Sequence, residues 1–270
     1  MARKVVLVGC GNMGYAMLKG WLTDALDAEN VFVVEPSDAL RERAEALGVR
    51  VFADAADLVS EITPEIAVLA VKPQIMADVV PAYAQWAGGG TTFLSVAAGV
   101  TIESFARQLP GETPIVRCMP NTPAAIGQGM MVCCFNAHVR SDDADFIGAL
   151  LSSSGRVAFV EDEAQMDAVT AVSGSGPAYV FHFIECLAAA GEREGLPAAL
   201  AMELAMQTVM GAGALAEQSD DPPGVLRQQV TSPGGTTAAA LEVFMTDERL
   251  AKLTAQAVKA AADRSRELAG

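Results

Sequence analysis

Val5-Val6-Leu7-Val8-Gly9-Cys10-Gly11-Asn12-Met13-Gly14, close to the N-terminus, decides how the rest of the chain is read. The apolar run Val5 to Val8 fits a strand buried on both faces. The GxGxxG behind it is a weak signal alone. Here it leaves a strand and opens Tyr15 to Leu26, which has helical periodicity. That is the setting a dinucleotide-binding turn requires. Gly9 permits the tight turn, Gly11 lets the backbone approach a pyrophosphate, and Gly14 lets helix and strand pack closely. Asn12 and Met13 complete the candidate coenzyme loop.

Outward from that turn the alternation continues. Strands are expected at Val31–Val34, Ile66–Val71, Thr91–Val96, Ile115–Met119, Met130–Phe135 and Arg156–Val160. Helices are expected over 37–47, 74–86 and 101–109, and again from Ser141. Ser37 and Gly48 read as the start and stop of the second helix. Ser141 reads as a cap, with Asp142, Asp143 and Asp145 in the first turn matching the helix dipole. Such alternation predicts a doubly wound, mostly parallel α/β sheet over residues 1–161. Beyond Glu161 the chain is rich in Ala, Met, Leu and Glu and shows no strand pattern, so residues 162–270 are expected to form an all-α domain. Breaks in it are expected at 174–176, 195–197, 220–223 and 233–235.

Bulk properties narrow the function. The 270 residues are 51% apolar and mean hydropathy is +0.31. The excess predicts apolar surface covered by another subunit. With 18 basic and 33 acidic residues the net charge is −15, which argues against nucleic acid and anionic membranes as partners. Any bound anion must be met locally, by helix N-termini and backbone amides. Cys10, Cys118, Cys133, Cys134 and Cys186 show no CxxC spacing. They read as buried, reduced thiols in a reducing, cytoplasmic compartment, and no metal site is expected. The apolar run after Arg3-Lys4 is too short for a signal peptide. Prolines and glycines interrupt the uncharged stretch between Arg117 and Arg140, so no membrane helix is expected there.

Three strand ends carry candidate site residues, at the sheet edge where open α/β folds bind ligands. Val71-Lys72-Pro73-Gln74 follows one strand, and Lys72 is a possible cation there. Ser95-Val96-Ala97-Ala98-Gly99 follows the next, with small side chains that let a flat ring lie on the backbone. Arg117-Cys118-Met119-Pro120-Asn121-Thr122-Pro123 follows the third, where two prolines stiffen a loop presenting Asn121. Glu35 ends the second strand, about 20 residues past the glycine loop. An acid there accepts hydrogen bonds from an adenosine ribose and repels a 2′-phosphate, favouring NADH. Ser37, close by, remains able to meet a phosphate.

The helical region offers two glycine-rich breaks. In Ala171-Val172-Ser173-Gly174-Ser175-Gly176-Pro177-Ala178-Tyr179, Pro177 suits the first position of a helix, leaving amides free. In Val230-Thr231-Ser232-Pro233-Gly234-Gly235-Thr236-Thr237, Gly234 and Gly235 bare the backbone, forming an anion nest suited to a carboxylate. Thr236 and Thr237 add hydroxyls. His138 and His182 are the only histidines. His182, between Phe181 and Phe183, reads as a packing residue. With no acid–base or metal motif, the chemistry must come from the coenzyme and the orientation from the protein.

GCGNMG, AVKPQ at 70–74, SVAAG at 95–99, RCMPNTP at 117–123, AVSGSGPAY at 171–179 and VTSPGGTT at 230–237 together resemble pyrroline-5-carboxylate reductase. The resemblance spans nearly the whole chain, and its last two motifs are specific. It implies a Rossmann domain followed by a helical dimerisation domain, with dimers often assembling into decamers. It implies reduction of 1-pyrroline-5-carboxylate to L-proline by NADPH or NADH. By the same resemblance the substrate carboxylate sits at the bend Ser232 to Thr237, on backbone amides around Gly234, Gly235, Thr236 and Thr237, with Gln229 nearby. The Thr237 hydroxyl meets the ring nitrogen. Val71, Lys72, Pro73, Ala97, Ala98 and Asn121 line the nicotinamide end, and Glu163 falls near the coenzyme. Glu35 stands where many relatives carry polar, non-acidic residues and Ala55 where many carry Asn, which leaves the coenzyme preference open.

Two other readings compete. A β-hydroxyacid dehydrogenase would need a catalytic lysine in the helical domain, and none occurs between Glu161 and Asp247. A catalytically silent dinucleotide-binding regulator would tolerate a degraded 230–237 segment, which is instead intact.

Overall fold

The computed structural model describes residues 3–269, the side chains of Asp24 and Ala269 excepted; Met1, Ala2 and Gly270 lie outside the described residues. The chain forms two compact units, residues 1–175 with 261–270, and residues 176–260.

The first unit is built on one eight-stranded sheet, ordered β3-β2-β1-β4-β5-β6-β7-β8. Its strands are β1 (Val5–Val8), β2 (Val31–Val34), β3 (Arg50–Phe52), β4 (Ile66–Leu69), β5 (Thr92–Ser95), β6 (Ile115–Met119), β7 (Gly129–Phe135) and β8 (Gly155–Phe159). Every pairing is parallel except β6 with β7. The reversal occurs at the turn Thr122–Ile126 that joins those two strands.

Period-two alternation divides the central strands between two cores. Val5, Leu7, Val31, Val33, Ile66 and Val68 join one face. Val6, Val8, Phe32, Val34, Ala67 and Leu69 join the other. Helix α1 (Asn12–Asp24) covers the first face with Met17, Leu18 and Trp21, all fully buried. Burying side chains of this size stabilises by roughly 1.5–3 kcal/mol each. Helices α2 (Asp38–Glu45), α3 (Ala56–Val59), α4 (Met76–Val79), α5 (Ala84–Ala87), α6 (Ile102–Ala106) and α7 (Ser141–Ser152) complete the two coverings.

Several local expectations need correction. β3 has no counterpart in the sequence reading. The helix expected over 74–86 alternates between 3-10 and α turns, because Pro81 supplies no amide to a helical ladder. Ser141 is the first helical residue rather than the cap, which is Arg140. Ser37 does hold the cap position of α2, but its side chain makes no capping bond.

Helix formation begins at Glu163, close to the expected change at 161. The compact units divide later, between Ser175 and Gly176, because α8 (Met166–Val169) packs on the sheet through the buried Met166. The expected glycine-rich break follows a π-helical turn, Thr170–Gly174, closed by the Ser175 amide on the Thr170 carbonyl at 2.8 Å. The break itself falls at Ser175, and Pro177 stands second in the helix that follows.

The second unit holds α9 (Gly176–Arg193), α10 (Ala198–Gln218), α11 (Pro223–Gln229), α12 (Thr236–Met245) and the first turns of α13 (Arg249–Ala269). Only small residues, Ala188, Ala201 and Ala205, are buried in α9 and α10. Phe181, Met206, Met210 and Leu215 are all more than half exposed. By length and hydropathy alone α10 is apolar enough to cross a membrane. His182 is not packed between its phenylalanines. It is exposed, with Nδ1 3.0 Å from Glu185 Oε2. Cys10, Cys118, Cys133 and Cys134 are buried and unpaired as expected, whereas Cys186 is exposed.

Candidate active site

The GxGxxG turn has the geometry its glycines imply. Gly9 has φ +88°, and a Cβ there would lie 2.9 Å from the Ala70 carbonyl oxygen. A Cβ on Gly14 would lie 2.3 Å from the Gly9 oxygen, so the first turn of α1 can close over β1 only with glycine there. Gly11 is different: a side chain there would meet nothing within 4 Å. It caps α1 without a side-chain bond, leaving the first-turn amides and the positive dipole end for an anion. This backbone fits the pyrophosphate of a dinucleotide.

Two side chains fix that turn. Glu35, 6% exposed, accepts the Cys10 amide on Oε2 at 2.7 Å and the Ser37 amide on Oε1 at 2.9 Å. Arg43 of α2 donates to the Cys10 carbonyl at 2.8 Å, and its guanidinium stacks 3.9 Å from the Tyr15 ring centroid. The Cys10 peptide is thus held at both its N–H and its C=O. Burial pushes the Cys10 thiol up to about 11, opposed by Arg43 and assisted by Glu35.

A cleft of about 550 Å³ opens beside the turn, lined by Gly9, Gly11, Glu35, Ala55, Val71 and Lys72 among others. It brings together the sequence-derived candidates of the glycine loop, the second strand end and the fourth. Apolar walls from Leu40, Ile75 and Val79 suit a planar base. Asp54 lies on the same rim, and its carboxylate also accepts the Ala56 amide at 2.8 Å. Arg41 is turned away, bonded to the Glu35 and Pro36 carbonyls and to Asp38. Sequence reasoning missed Arg43, Arg41 and Asp54. Their positions in and around α2 and β3 carried no motif.

At the next strand end Ala97 is buried and Ala98 exposed. Asn121 is bonded to two neighbouring segments. Its Nδ2 donates to the Ser173 carbonyl at 3.2 Å and its Oδ1 accepts the Met130 amide at 2.9 Å. It joins the loop after β6 to the π-helical turn. Glu163 is likewise engaged, by Arg117 and by the Ile102 amide, both at 2.8 Å.

The 230–237 bend belongs to the helical unit. Gly234 adopts φ +68°, and Gly235 caps α12 with extended backbone. The Gly235 amide is not bare, since it closes on the Ser232 carbonyl at 3.0 Å. The first-turn amides of α12, from Thr236 to Ala238, remain without helical partners. Thr237 is half-buried, while Ser232, Gly234 and Thr236 are exposed. Gln229 bonds Asp221 at 2.7 Å, so its amide is committed next to the bend. A larger groove of about 680 Å³ in this unit is walled mainly by Leu241, Phe244, Met245, Leu250 and Val258. Arg227, Glu248 and Thr254 are its polar lining, and so apolar a groove suits a protein neighbour better than a coenzyme. Among the described residues no group of three His, Cys, Asp or Glu side chains could hold a metal.

Known proteins resemble both parts. Residues 163–268 match the family described as pyrroline-5-carboxylate reductase dimerisation, and residues 4–99 match NADP oxidoreductase, coenzyme F420-dependent. The pyrroline-5-carboxylate reductase of Pseudomonas aeruginosa is 39% identical over 98% of this chain and 97% of its own. A crystal structure of the Coxiella burnetii pyrroline-5-carboxylate reductase superposes with a TM-score of 0.94 at 32% identity, covering 100% of both chains. The Plasmodium falciparum enzyme, solved with NADP bound, gives 0.84 at 30% identity over 99% of this chain and 98% of its own.

Proposed function

Because the chain belongs to the pyrroline-5-carboxylate reductase family, we propose a specific division of labour between its two motif-bearing segments. The protein is an NAD(P)H-dependent oxidoreductase that forms L-proline from 1-pyrroline-5-carboxylate, and it is a homo-oligomer. The glycine turn, Glu35 and Arg43 hold the dinucleotide, with Asn12 and Met13 giving first-turn amides to its pyrophosphate. Val71, Lys72, Pro73, Ala97 and Ala98 line the nicotinamide end. When bound, the reduced coenzyme supplies the hydride that adds to the imine carbon.

The bend at Ser232 to Thr237 takes the substrate carboxylate, and the first-turn amides of α12 carry this reading. They form a preorganised anion site in a chain whose net charge of −15 would otherwise repel a carboxylate. The Thr237 hydroxyl accepts the N–H of the substrate iminium. The ring nitrogen is protonated already when bound, so no side-chain acid of shifted pKa is needed. The chain's net charge of −15 favours that cation through its general field.

The proposed setting is the cytoplasm, without membrane attachment. The proposed assembly is a dimer that builds further, to a decamer. The exposed apolar faces of α9 and α10 then serve subunit contact. Coenzyme oxidation followed with and without 1-pyrroline-5-carboxylate tests the reading. Substrate-dependent oxidation yielding proline is expected. Oxidation that ignores the substrate would refute it.

A further inference from the structure

Two carboxylates four residues apart, Glu163 and Asp167, stand at the start of the helical run and reach in different directions. Glu163 Oε1 accepts the Ile102 amide and the Arg117 guanidinium, each at 2.8 Å. Ile102 opens α6, so this bond satisfies an amide that the helix itself cannot. It also places a negative charge at the positive end of α6. Arg117, only 5% exposed in the middle of β6, cannot leave without stranding the carboxylate.

Asp167 reaches the last turns of α13, where its Oδ1 accepts the Ser265 hydroxyl at 2.6 Å. Ser265 is 5% exposed and Ala262, on the same side of the helix, 7%. Arg266 adds an ion pair to Asp167 at 4.0 Å. One turn further on, Leu268 meets Gly99: a Cβ on Gly99 would lie 3.4 Å from Leu268 Cβ and 3.5 Å from its carbonyl oxygen. The segment from Gly99 to Ile102, which continues Ala97 and Ala98, is therefore held at both ends. Glu163 fixes the Ile102 amide, and the end of α13, itself fixed by Asp167, backs Gly99.

We infer that Glu163, Asp167 and Ser265 are positioning residues for hydride transfer, which set the Ala97–Ala98–Gly99 segment against the nicotinamide through the C-terminal turns of α13. None of the three need touch substrate or coenzyme. The inference rests on the assignment of Ala97 and Ala98 to the nicotinamide end made above. A displacement of the ring by a fraction of an ångström costs rate rather than binding, because the reacting atoms leave their attack geometry.

Ser265→Ala removes one hydroxyl and leaves packing intact, and Asp167→Ala removes its acceptor. Each should lower kcat by about tenfold, with the KM for 1-pyrroline-5-carboxylate little changed. The primary isotope effect with 4-deuterated coenzyme should rise, since hydride transfer becomes more rate-limiting. The double variant should be no slower than Asp167→Ala alone, because that substitution already deletes the bond to Ser265. Asp167→Asn retains an acceptor for Ser265 and should restore most of the rate. An unchanged kcat and isotope effect in Ser265→Ala and Asp167→Ala, even with a lowered Tm, would reduce the contacts to scaffolding and overturn the inference. So would an Asp167→Asn enzyme as slow as Asp167→Ala. Failure of the underlying assignment reads differently: wild-type protein would then show no substrate-dependent oxidation at all.

Discussion

Glu35 Oε2 accepts the backbone N–H of Cys10 at 2.7 Å, so the acid at the end of β2 and the glycine turn after β1 are one rigid unit. The other oxygen holds the Ser37 amide. Each oxygen keeps a second lone pair for the ribose side of the cleft. Asp54 adds a second acid on the rim, while Arg41 is committed elsewhere. A 2′-phosphate there would meet the carboxylates of Glu35 and Asp54.

Replacing Glu35 with serine should therefore shift the coenzyme preference toward NADPH. The change in the ratio of kcat/KM values should be about 1–2 kcal/mol, a charge–charge term at the effective dielectric of a protein surface. Both KM values should also rise, since the Cys10 amide loses its acceptor. Steady-state kinetics with both coenzymes measures this. A ratio identical to wild type would show that Glu35 does not read the ribose.

Arg43→Met keeps an apolar stem over Tyr15 but removes the bond to the Cys10 carbonyl. Loss of one charge-assisted hydrogen bond, worth roughly 1.5–3 kcal/mol, loosens the turn that cradles the pyrophosphate. The KM for coenzyme should rise about tenfold or more, with kcat less affected. Fluorescence titration of coenzyme against both proteins checks it, and equal affinity would remove Arg43 from the site.

Thr237 stands in the first turn of α12, half-buried, beside amides with no helical partner. Thr237→Ala should lower kcat/KM by about 1–3 kcal/mol, the scale of one buried polar contact. Thr237→Ser should recover most of that loss. Unchanged kinetics in the alanine variant would show that the hydroxyl does not meet the substrate.

What the sequence revealed follows from where the information lies. The central strands were legible because a parallel sheet covered on both faces needs unbroken apolar runs, and Val5–Val8 and Ile66–Leu69 supply them. β3 was not, since its three partly exposed residues pair only at the sheet edge. The turn of the 230–237 bend was legible through Gly234, whose positive φ few other residues tolerate. The break expected at 174–176 falls at Ser175, while the π turn Thr170–Gly174 before it left no signature in the sequence. The bonds of Asn121 to Ser173 and of Glu163 to Arg117 were not legible. Partners that far along the chain leave no trace in local pattern.

The Cys10 thiol predicts a pH response. Burial raises its pKa to about 11 from an ordinary value of 9.0. The native state then holds a proton that the unfolded chain releases between those values. Its contribution is complete below the unfolded pKa and is lost as pH climbs through the folded one. The loss is on the order of 2 kcal/mol. Denaturant midpoints measured from neutral pH upward should fall less steeply for Cys10→Ala than for wild type. Parallel curves would show that Cys10 does not contribute to alkaline unfolding.

Met202, Met206 and Met210 recur every four residues on α10, forming one apolar stripe, and they are 39%, 55% and 63% exposed. Residues this apolar are not normally left in water in a row, and the segment matches a dimerisation family. The stripe should lie in the subunit interface. Met206→Glu would bury a carboxylate there without a partner, at a cost of about 3 kcal/mol or more. The dimer dissociation constant should rise by the corresponding factor of about 100 or more, with a lower Tm that depends on protein concentration. Met206→Leu, which conserves volume, should stay assembled. Light scattering across a dilution series distinguishes them. A glutamate variant with the mass and Tm of wild type would place the interface elsewhere.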